Sequence, residues 1–310
     1  MSAQPLVVPA APEADSGRRV LDCRGRPLAV ESGAAHVMGI LNVTPDSFSD
    51  GGRYASLQAA VDRAGAMAEE GARLVDVGGE STRPGADAVG LDEELARVVP
   101  VVEAIARDLP HLLISVDTTK GAVARAALRA GAHVVNDVTG LRDGIGTAVA
   151  AAEYGAPLVV MHALAKTGGT ASVDAYDDVL AAVTASLRQS VKRAEAAGVR
   201  DVIVDPGFGF GKTPAQNLRL ISEVDRLGAA LGRPVLVGVS RKSTVGVLLG
   251  TADAPAPVDE RLFGSLGLAA LAVVRGAAFV RTHDVRATAE TLRAITAAES
   301  ERATDSGAGR

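Results

Sequence analysis

Eight short runs of apolar, largely β-branched residues recur along the chain, at His36–Val43, Arg73–Gly78, Leu112–Thr118, His133–Val138, Pro157–His162, Asp201–Asp205, Pro234–Ser240 and Ala277–His283. Segments with helical periodicity lie between them, among them Leu57–Glu70, Asp92–Asp108, Lys120–Ala130, Tyr176–Ala197, Pro214–Leu231 and Glu260–Arg275. Several of these stop at a glycine (Gly71, Gly131, Gly198, Gly276), the residue that best tolerates the left-handed position after a helix. Strand, loop and helix repeated eight times predict an α/β fold, a (β/α)8 TIM barrel. A doubly wound open sheet also alternates, but it gathers polar groups at one switch point, whereas here polar residues end nearly every run. Ahead of the barrel, alternation about Arg24-Gly25-Arg26 predicts a hairpin. Residues 1–19 read as a disordered leader, 20–298 as a single barrel domain and 299–310 as a disordered tail.

Composition narrows the picture. Hydrophobic residues make up 47% of the 310 positions and aromatics only 3%, so Ala, Val, Leu and Ile must pack the core, as suits a buried parallel sheet. The net charge is −5 and the Lys and Arg residues are scattered, which argues against a nucleic-acid partner. Cys23 is the single cysteine, excluding a disulfide within the chain and CxxC metal sites. No apolar run approaches the roughly 20 residues of a membrane span, so no membrane partner is expected. The first residues lack the basic start of a secretory signal, and the expected location is cytoplasmic.

The chemistry lies at the strand ends. The first run passes from Met38-Gly-Ile-Leu into a polar loop, Asn42-Val-Thr-Pro-Asp-Ser-Phe-Ser-Asp-Gly-Gly52, which Pro45 and the two glycines keep from continuing as strand. Later ends supply Glu80-Ser81-Thr82-Arg83, Asp117, Asn136-Asp137, His162, Asp205, Ser240-Arg241-Lys242, then Arg281 and His283. Any one of these reads equally well as a helix cap. So many on one barrel mouth form an active-site rim. Asp117, Asn136 and Asp205 suit a polar heterocycle with ring N–H and amino groups; Asp117 and Asp205 also fit a general acid–base pair. Arg281 and His283 alternate onto one face after the last strands, where this fold often binds phosphate, and an anion site competes there with a salt bridge closing the barrel. Asn42 and Asp46 offer oxygens compatible with a Mg²⁺ ion that keeps most of its waters. Gly207-Phe-Gly-Phe-Gly-Lys-Thr213 mimics a phosphate-binding loop, but Pro206 stands where that motif needs glycine. His36, His111 and His133 begin strands, on the far face, where structural or exposed roles are expected.

Gly39-Ile-Leu-Asn-Val-Thr-Pro-Asp-Ser-Phe-Ser-Asp-Gly51, Gly79-Glu-Ser-Thr-Arg-Pro-Gly85, Ile114-Ser-Val-Asp117, Val135-Asn-Asp-Val138, Asp205-Pro-Gly-Phe-Gly-Phe210, Gly238-Val-Ser-Arg-Lys242 and Val280-Arg-Thr-His-Asp-Val285 resemble, in order, the signature segments of dihydropteroate synthase. The resemblance implies a folate-pathway transferase joining p-aminobenzoate to 6-hydroxymethyl-7,8-dihydropterin diphosphate with release of pyrophosphate. It implies pterin contacts from Asp117, Asn136, Asp205 and Lys242. Diphosphate contacts would come from Asn42, Thr82, Arg281 and His283, with Asn42 also on Mg²⁺. The p-aminobenzoate contacts would come from Phe48, Arg83, Pro84, Phe210 and Ser243. The mechanism so implied is dissociative: the C–O bond to diphosphate breaks first and the arylamine attacks the pterin methylene cation. The resemblance also implies sulfonamide competition with p-aminobenzoate, and makes a homodimer an open expectation. One departure is the stretch Ala163-Leu-Ala-Lys-Thr-Gly-Gly169, where the family commonly has a Met/Gly/Pro-containing loop. A pterin-binding methyltransferase on a related barrel is the nearest rival, but it needs no diphosphate site. A paralogue that binds pterin without turnover is the non-enzymatic alternative.

Overall fold

The computed structural model describes residues 18–31, 33–43, 52–80, 88–163 and 176–307. An antiparallel hairpin, β1 Arg18–Asp22 and β2 Pro27–Glu31, precedes eight parallel strands: β3 His36–Asn42, β4 Leu74–Gly78, β5 Leu113–Asp117, β6 Val134–Asp137, β7 Leu158–Met161, β8 Val202–Asp205, β9 Leu236–Val237 and β10 Phe279–Thr282. They hydrogen-bond in chain order, β10 pairs with both β3 and β9, and a parallel bridge between Val204 and Val235 joins β8 to the start of the β9 segment. The ring therefore closes. Around it run α1 Gly52–Glu69, α2 Leu91–Asp108, α3 Gly121–Ala130, α4 Gly146–Tyr154, α5 Val179–Ala196, α6 Pro214–Ser222, α7 Val224–Leu231, α8 Ser243–Leu249, α9 Leu262–Val274 and α10 Val285–Gly307.

The expected elements appear in the expected order, with local differences. The helix expected over Pro214–Leu231 is two, joined at Glu223, whose backbone (φ −119°, ψ 27°) leaves the helical region. The turn at Val258–Arg261 is a 3₁₀ turn leading into α9. α10 continues to Gly307, into the stretch 299–310 that composition reads as a disordered tail. Ala, Glu and Arg there are good helix formers and extend a helix already anchored by Val285, Ala289 and Leu292. The glycines at 71, 131, 198 and 276 all adopt positive φ. Residues 1–17 of the leader and 308–310 of the tail lie outside the described residues, as do the loop residues 44–51, 81–87 and 164–175.

The hairpin has a structural role: it closes the floor of the barrel. Leu21, Cys23 and Leu28 are buried with Met38, Leu74, Leu113, Val134, Val159, Ile203, Leu236 and Phe279, the lowest inward layer of the strands. Each such aliphatic side chain contributes about 1.5–3 kcal/mol by leaving water. Arg24 donates to the carbonyls of Leu128 and Ala132, and Arg26 to those of His111 and Leu112, so the turn is pinned to the end of α3 and to loops at the strands' amino ends. Burial pushes the Cys23 thiol up to about 12, which makes it an inert packing residue. His36 and His133 bond locally at this floor, on the face opposite the strand ends.

Candidate active site

Side chains on a strand alternate, so the floor layer fixes which residues point into the barrel above it. Two positions on from Met38, Leu74, Leu113, Val134, Val159, Ile203, Leu236 and Phe279 stand Ile40, Asp76, Ser115, Asn136, Met161, Asp205, Gly238 and Arg281. Two further on, Asn42, Gly78 and Asp117 lie side by side in register. Apolar packing thus gives way to a polar interior within one step of the pleat.

The polar groups form one connected cluster. Arg281 Nε donates to Asp76 Oδ2 at 2.6 Å, and its terminal NH2 donates to Asp117 Oδ2 at 2.7 Å. Asn136 Nδ2 donates to the same Asp76 Oδ2 at 2.8 Å. Burial opposes the charge on Arg281, but the Asp76 and Asp117 carboxylates outweigh it and hold the guanidinium above its ordinary range. Gly78, with no side chain, leaves a gap between Asn42 and Asp117: a Cβ there would lie 3.7 Å from Asn42 Oδ1 and 3.5 Å from Asp117 Cβ.

A second half of the cluster comes from the loop after β8. Asp205 Oδ1 accepts the Gly207 N–H at 2.7 Å, while burial raises the carboxyl's pKa against the opposing charge of Lys242. Lys242 donates to the Phe208 carbonyl, and its ammonium lies 4.2 Å from the centre of the Phe210 ring. Burial lowers Lys242 to about 8, with Asp205 pulling the other way. Gly207, Gly209 and Gly211 all have positive φ, which coils this loop back over the strand ends. Lys212 ties it down by donating to the carbonyls of Phe210, Gly207 and His162. Burial pushes Lys212 down to about 7, yet three acceptors are satisfied together only by an ammonium with three N–H bonds.

Two residues before Lys242, Ser240 Oγ lies 3.0 Å from His283 Nδ1 and accepts the His283 backbone N–H. Between Ser240 and Lys242, Arg241 takes a left-handed conformation (φ 59°), costing about 1–3 kcal/mol for a non-glycine residue. Its guanidinium pairs with Asp284 and its backbone is bonded to Ser265 and Arg261, which hold the strained turn.

The structure brings Asp117, Asn136, Asp205, Lys242 and Arg281 together, with Asn42 on the Gly78 gap and His283 one alternate position beyond Arg281. Phe210 joins them through its contact with Lys242 and packs on Val138, Met161 and Ala163. Ser243 is the exposed first residue of α8, immediately after Lys242. Phe48, Thr82, Arg83 and Pro84, with Asp46, lie outside the described residues. Of the two readings of Arg281, the salt bridge across the barrel is the contact observed. Two strand-end residues are engaged elsewhere. Asp137 is satisfied by the hydroxyls of Thr139 and Thr147 and by the Thr139 N–H, and Glu80 is paired with Lys120, which also holds the fully buried Glu94. His162 is kept neutral by burial, which lowers it to about 3, and its Nε2 is 3.4 Å from the Tyr176 hydroxyl.

Asp76 is the residue that reading strand ends misses. It lies mid-strand between two valines, fully buried, and counting alternate positions from Leu74 is the signal that finds it.

Residues 38–283 match the family model described as pterin binding enzyme. The chain is 46% identical to the dihydropteroate synthase of Escherichia coli (strain K12) over 264 residues, 84% of this chain and 91% of that one. The chain belongs to the dihydropteroate synthase family. Among solved structures, Xanthomonas albilineans dihydropteroate synthase with 4-aminobenzoic acid superposes with a TM-score of 0.80 at 45% identity, covering 92% of this chain and 99% of that one. The same bacterium's dihydropteroate synthase in complex with 7,8-dihydropteroate gives 0.77 at 42% identity, covering 91% and 99%. The matched span runs from the inward-facing Met38 to His283, so it takes in every strand end of the barrel and leaves the floor hairpin outside. Among the described residues no helix is long and apolar enough to cross a membrane.

Proposed function

We infer that this chain condenses 6-hydroxymethyl-7,8-dihydropterin diphosphate with p-aminobenzoate to 7,8-dihydropteroate and pyrophosphate, as a transferase of folate biosynthesis acting in the cytoplasm. The observation that carries this is the cluster of buried Asp117, Asn136 and Asp205 with half-buried Lys242 and Arg281 at one barrel mouth. It presents acceptors to a flat, donor-rich ring and cations to what leaves it. The two carboxylates and the amide oxygen receive pterin N–H and amino groups, Lys242 donates to ring acceptors, and Asn42, Thr82, Arg281 and His283 hold the diphosphate. Phe48, Arg83, Pro84, Phe210 and Ser243 receive p-aminobenzoate.

Ionisation comes first. Asp117 and Asp205 favour positive charge growing on the pterin methylene, while Arg281 and His283 stabilise the departing anion. No side chain is asked to act as nucleophile. Asn42 gives one neutral hard oxygen, and among the described residues no three acidic, His or Cys side chains converge as a cage. That oxygen fits a Mg²⁺ ion, which Asn42 would help to hold and which would neutralise charge on the leaving group. The test is pyrophosphate release measured with and without p-aminobenzoate. Stoichiometric dihydropteroate and pyrophosphate are expected; methyl transfer with no pyrophosphate, or pterin diphosphate binding with no product, reverses the reading.

The Lys242 ammonium is lost as pH rises through about 8, because burial has lowered it from 10.5. Pterin diphosphate affinity is therefore expected to fall above about pH 8. Lys242→Arg, which stays charged, should flatten that alkaline limb. An identical limb in the arginine variant counts against Lys242 as its source. Sulfonamides are expected to compete with p-aminobenzoate, and non-competitive inhibition contradicts the placement of the arylamine at Phe210 and Ser243.

The fold supports a homodimer as well. On α9, Phe263 is 80% exposed and Gly267, Leu271 and Val274 share its face, beside exposed Leu248 and Leu249 of α8. An apolar patch of this kind fits a second copy of the chain. Phe263→Glu should convert a dimer to a monomer in sedimentation; a wild-type monomer at micromolar concentration overturns the assignment.

A further inference from the structure

We propose that Asp76 is a positioning residue for pterin binding: one buried carboxylate oxygen sets which way Asn136 faces and which end of Arg281 the substrate meets. The proposal deepens the assignment of Asn136 and Asp117 to the pterin and rests on it.

Asp76 is fully buried in the middle of β4, and its Oδ2 receives both Asn136 Nδ2 and Arg281 Nε. A carboxylate only accepts, so the groups turned toward it must be donors. Asn136 is therefore held with its NH₂ on Asp76 and its carbonyl oxygen turned away, presenting an acceptor to ring N–H and amino groups. An asparagine at 76 must keep its oxygen on the Arg281 Nε–H, but it lacks the carboxylate's charge, so it holds the Asn136 amide more weakly and lets it turn. Arg281 is held by Nε, at the root of the guanidinium. Its terminal nitrogen, on Asp117, is then the end that a pterin competing for Asp117 displaces. One oxygen thus couples residues 60 and 205 positions away, on β6 and β10. Among the described residues, Asp76 Oδ1 and the hydroxyl of Ser115, its register partner on β5, are buried with no hydrogen-bond partner, so the floor of this pocket retains unused polar capacity. Asp76 needs no contact with substrate to do this work.

The experiment is calorimetric titration of 6-hydroxymethyl-7,8-dihydropterin diphosphate into wild type, Asn136→Ala, Asp76→Asn and the double variant, with KM for both substrates measured alongside. Asn136→Ala alone should weaken pterin binding about tenfold, the size of one well-placed hydrogen bond. In the Asp76→Asn background the same change should cost less than about twofold, because the amide is no longer held in the productive orientation. Asp76→Asn should raise KM for the pterin substrate and leave that for p-aminobenzoate unchanged, a split that general destabilisation does not produce. A full tenfold loss in both backgrounds, or wild-type pterin affinity in Asp76→Asn, overturns the proposal. If Asn136→Ala binds as wild type does, the pterin assignment itself falls. Should Asp76→Asn not fold, a structure of the wild-type pterin complex decides: Asn136 Nδ2 still on Asp76 supports the proposal, and a flipped amide overturns it.

Discussion

Gly207→Ala is expected to remove turnover and lower the thermal midpoint together. Two independent constraints meet at this residue. Its φ of 69° is in the left-handed region, which costs a residue with a Cβ about 1–2 kcal/mol. The Cβ itself would also lie 1.7 Å from the carbonyl oxygen of His162, a backbone atom at the end of β7 that cannot rotate aside. The loop must therefore move, and three functional contacts move with it. The Gly207 N–H orients Asp205, the Gly207 carbonyl receives Lys212, and the Phe208 carbonyl receives Lys242. Overpacking of this kind typically costs about 1–3 kcal/mol in addition. A melt combined with pterin titration checks the expectation. Gly232→Ala makes the control: it also has positive φ (61°), but nothing lies within 4 Å of its Cβ, so it should lose only the backbone term and keep full pterin affinity. Normal pterin binding by Gly207→Ala would mean that the loop geometry does not position Asp205.

The barrel was legible because its signals are local and repeated. A run such as Leu-Val-Asp-Val-Gly can be placed as a buried strand from its β-branched residues and flanking turns, whatever it packs against. The strand-end acids were legible for the same reason, since a polar group ending an apolar run is conspicuous. Asp76 was hidden by the inverse logic. An acid inside an apolar run looks like an exception to the pattern, and only the partners that excuse it, Asn136 and Arg281, reveal a purpose. Those partners are 60 and 205 residues away, beyond any local window. Asp137 misleads in the other direction: adjacent to Asn136 and equally polar, it takes the opposite face of β6 and is consumed by Thr139 and Thr147. The hairpin's role as a floor was likewise invisible, because alternation about Arg24-Gly25-Arg26 predicts a hairpin but not what its apolar face covers.

Arg281→Ala is expected to separate the two halves of the substrate. With pterin diphosphate, kcat/KM should fall by about a hundredfold or more, the usual loss when one preorganised cation is removed from a developing anion. With a 6-hydroxymethylpterin lacking diphosphate the sign differs. Arg281 holds Asp117 Oδ2 in this structure, so a pterin that takes this oxygen competes with it. Removing the guanidinium removes that competition, and affinity for the shorter ligand should be unchanged or improved. The variant should also be less stable, since Asp76 and Asp117 lose their counter-charge while buried. Breaking such a pair typically costs about 3–5 kcal/mol, which a thermal melt reads directly. Arg281→Lys tests the geometry rather than the charge. A single ammonium cannot reproduce the fork that spans both carboxylates, so stability should recover only in part while some diphosphate turnover returns. Equal losses for the two ligands would remove Arg281 from the anion site and leave it a strut between β4, β5 and β10.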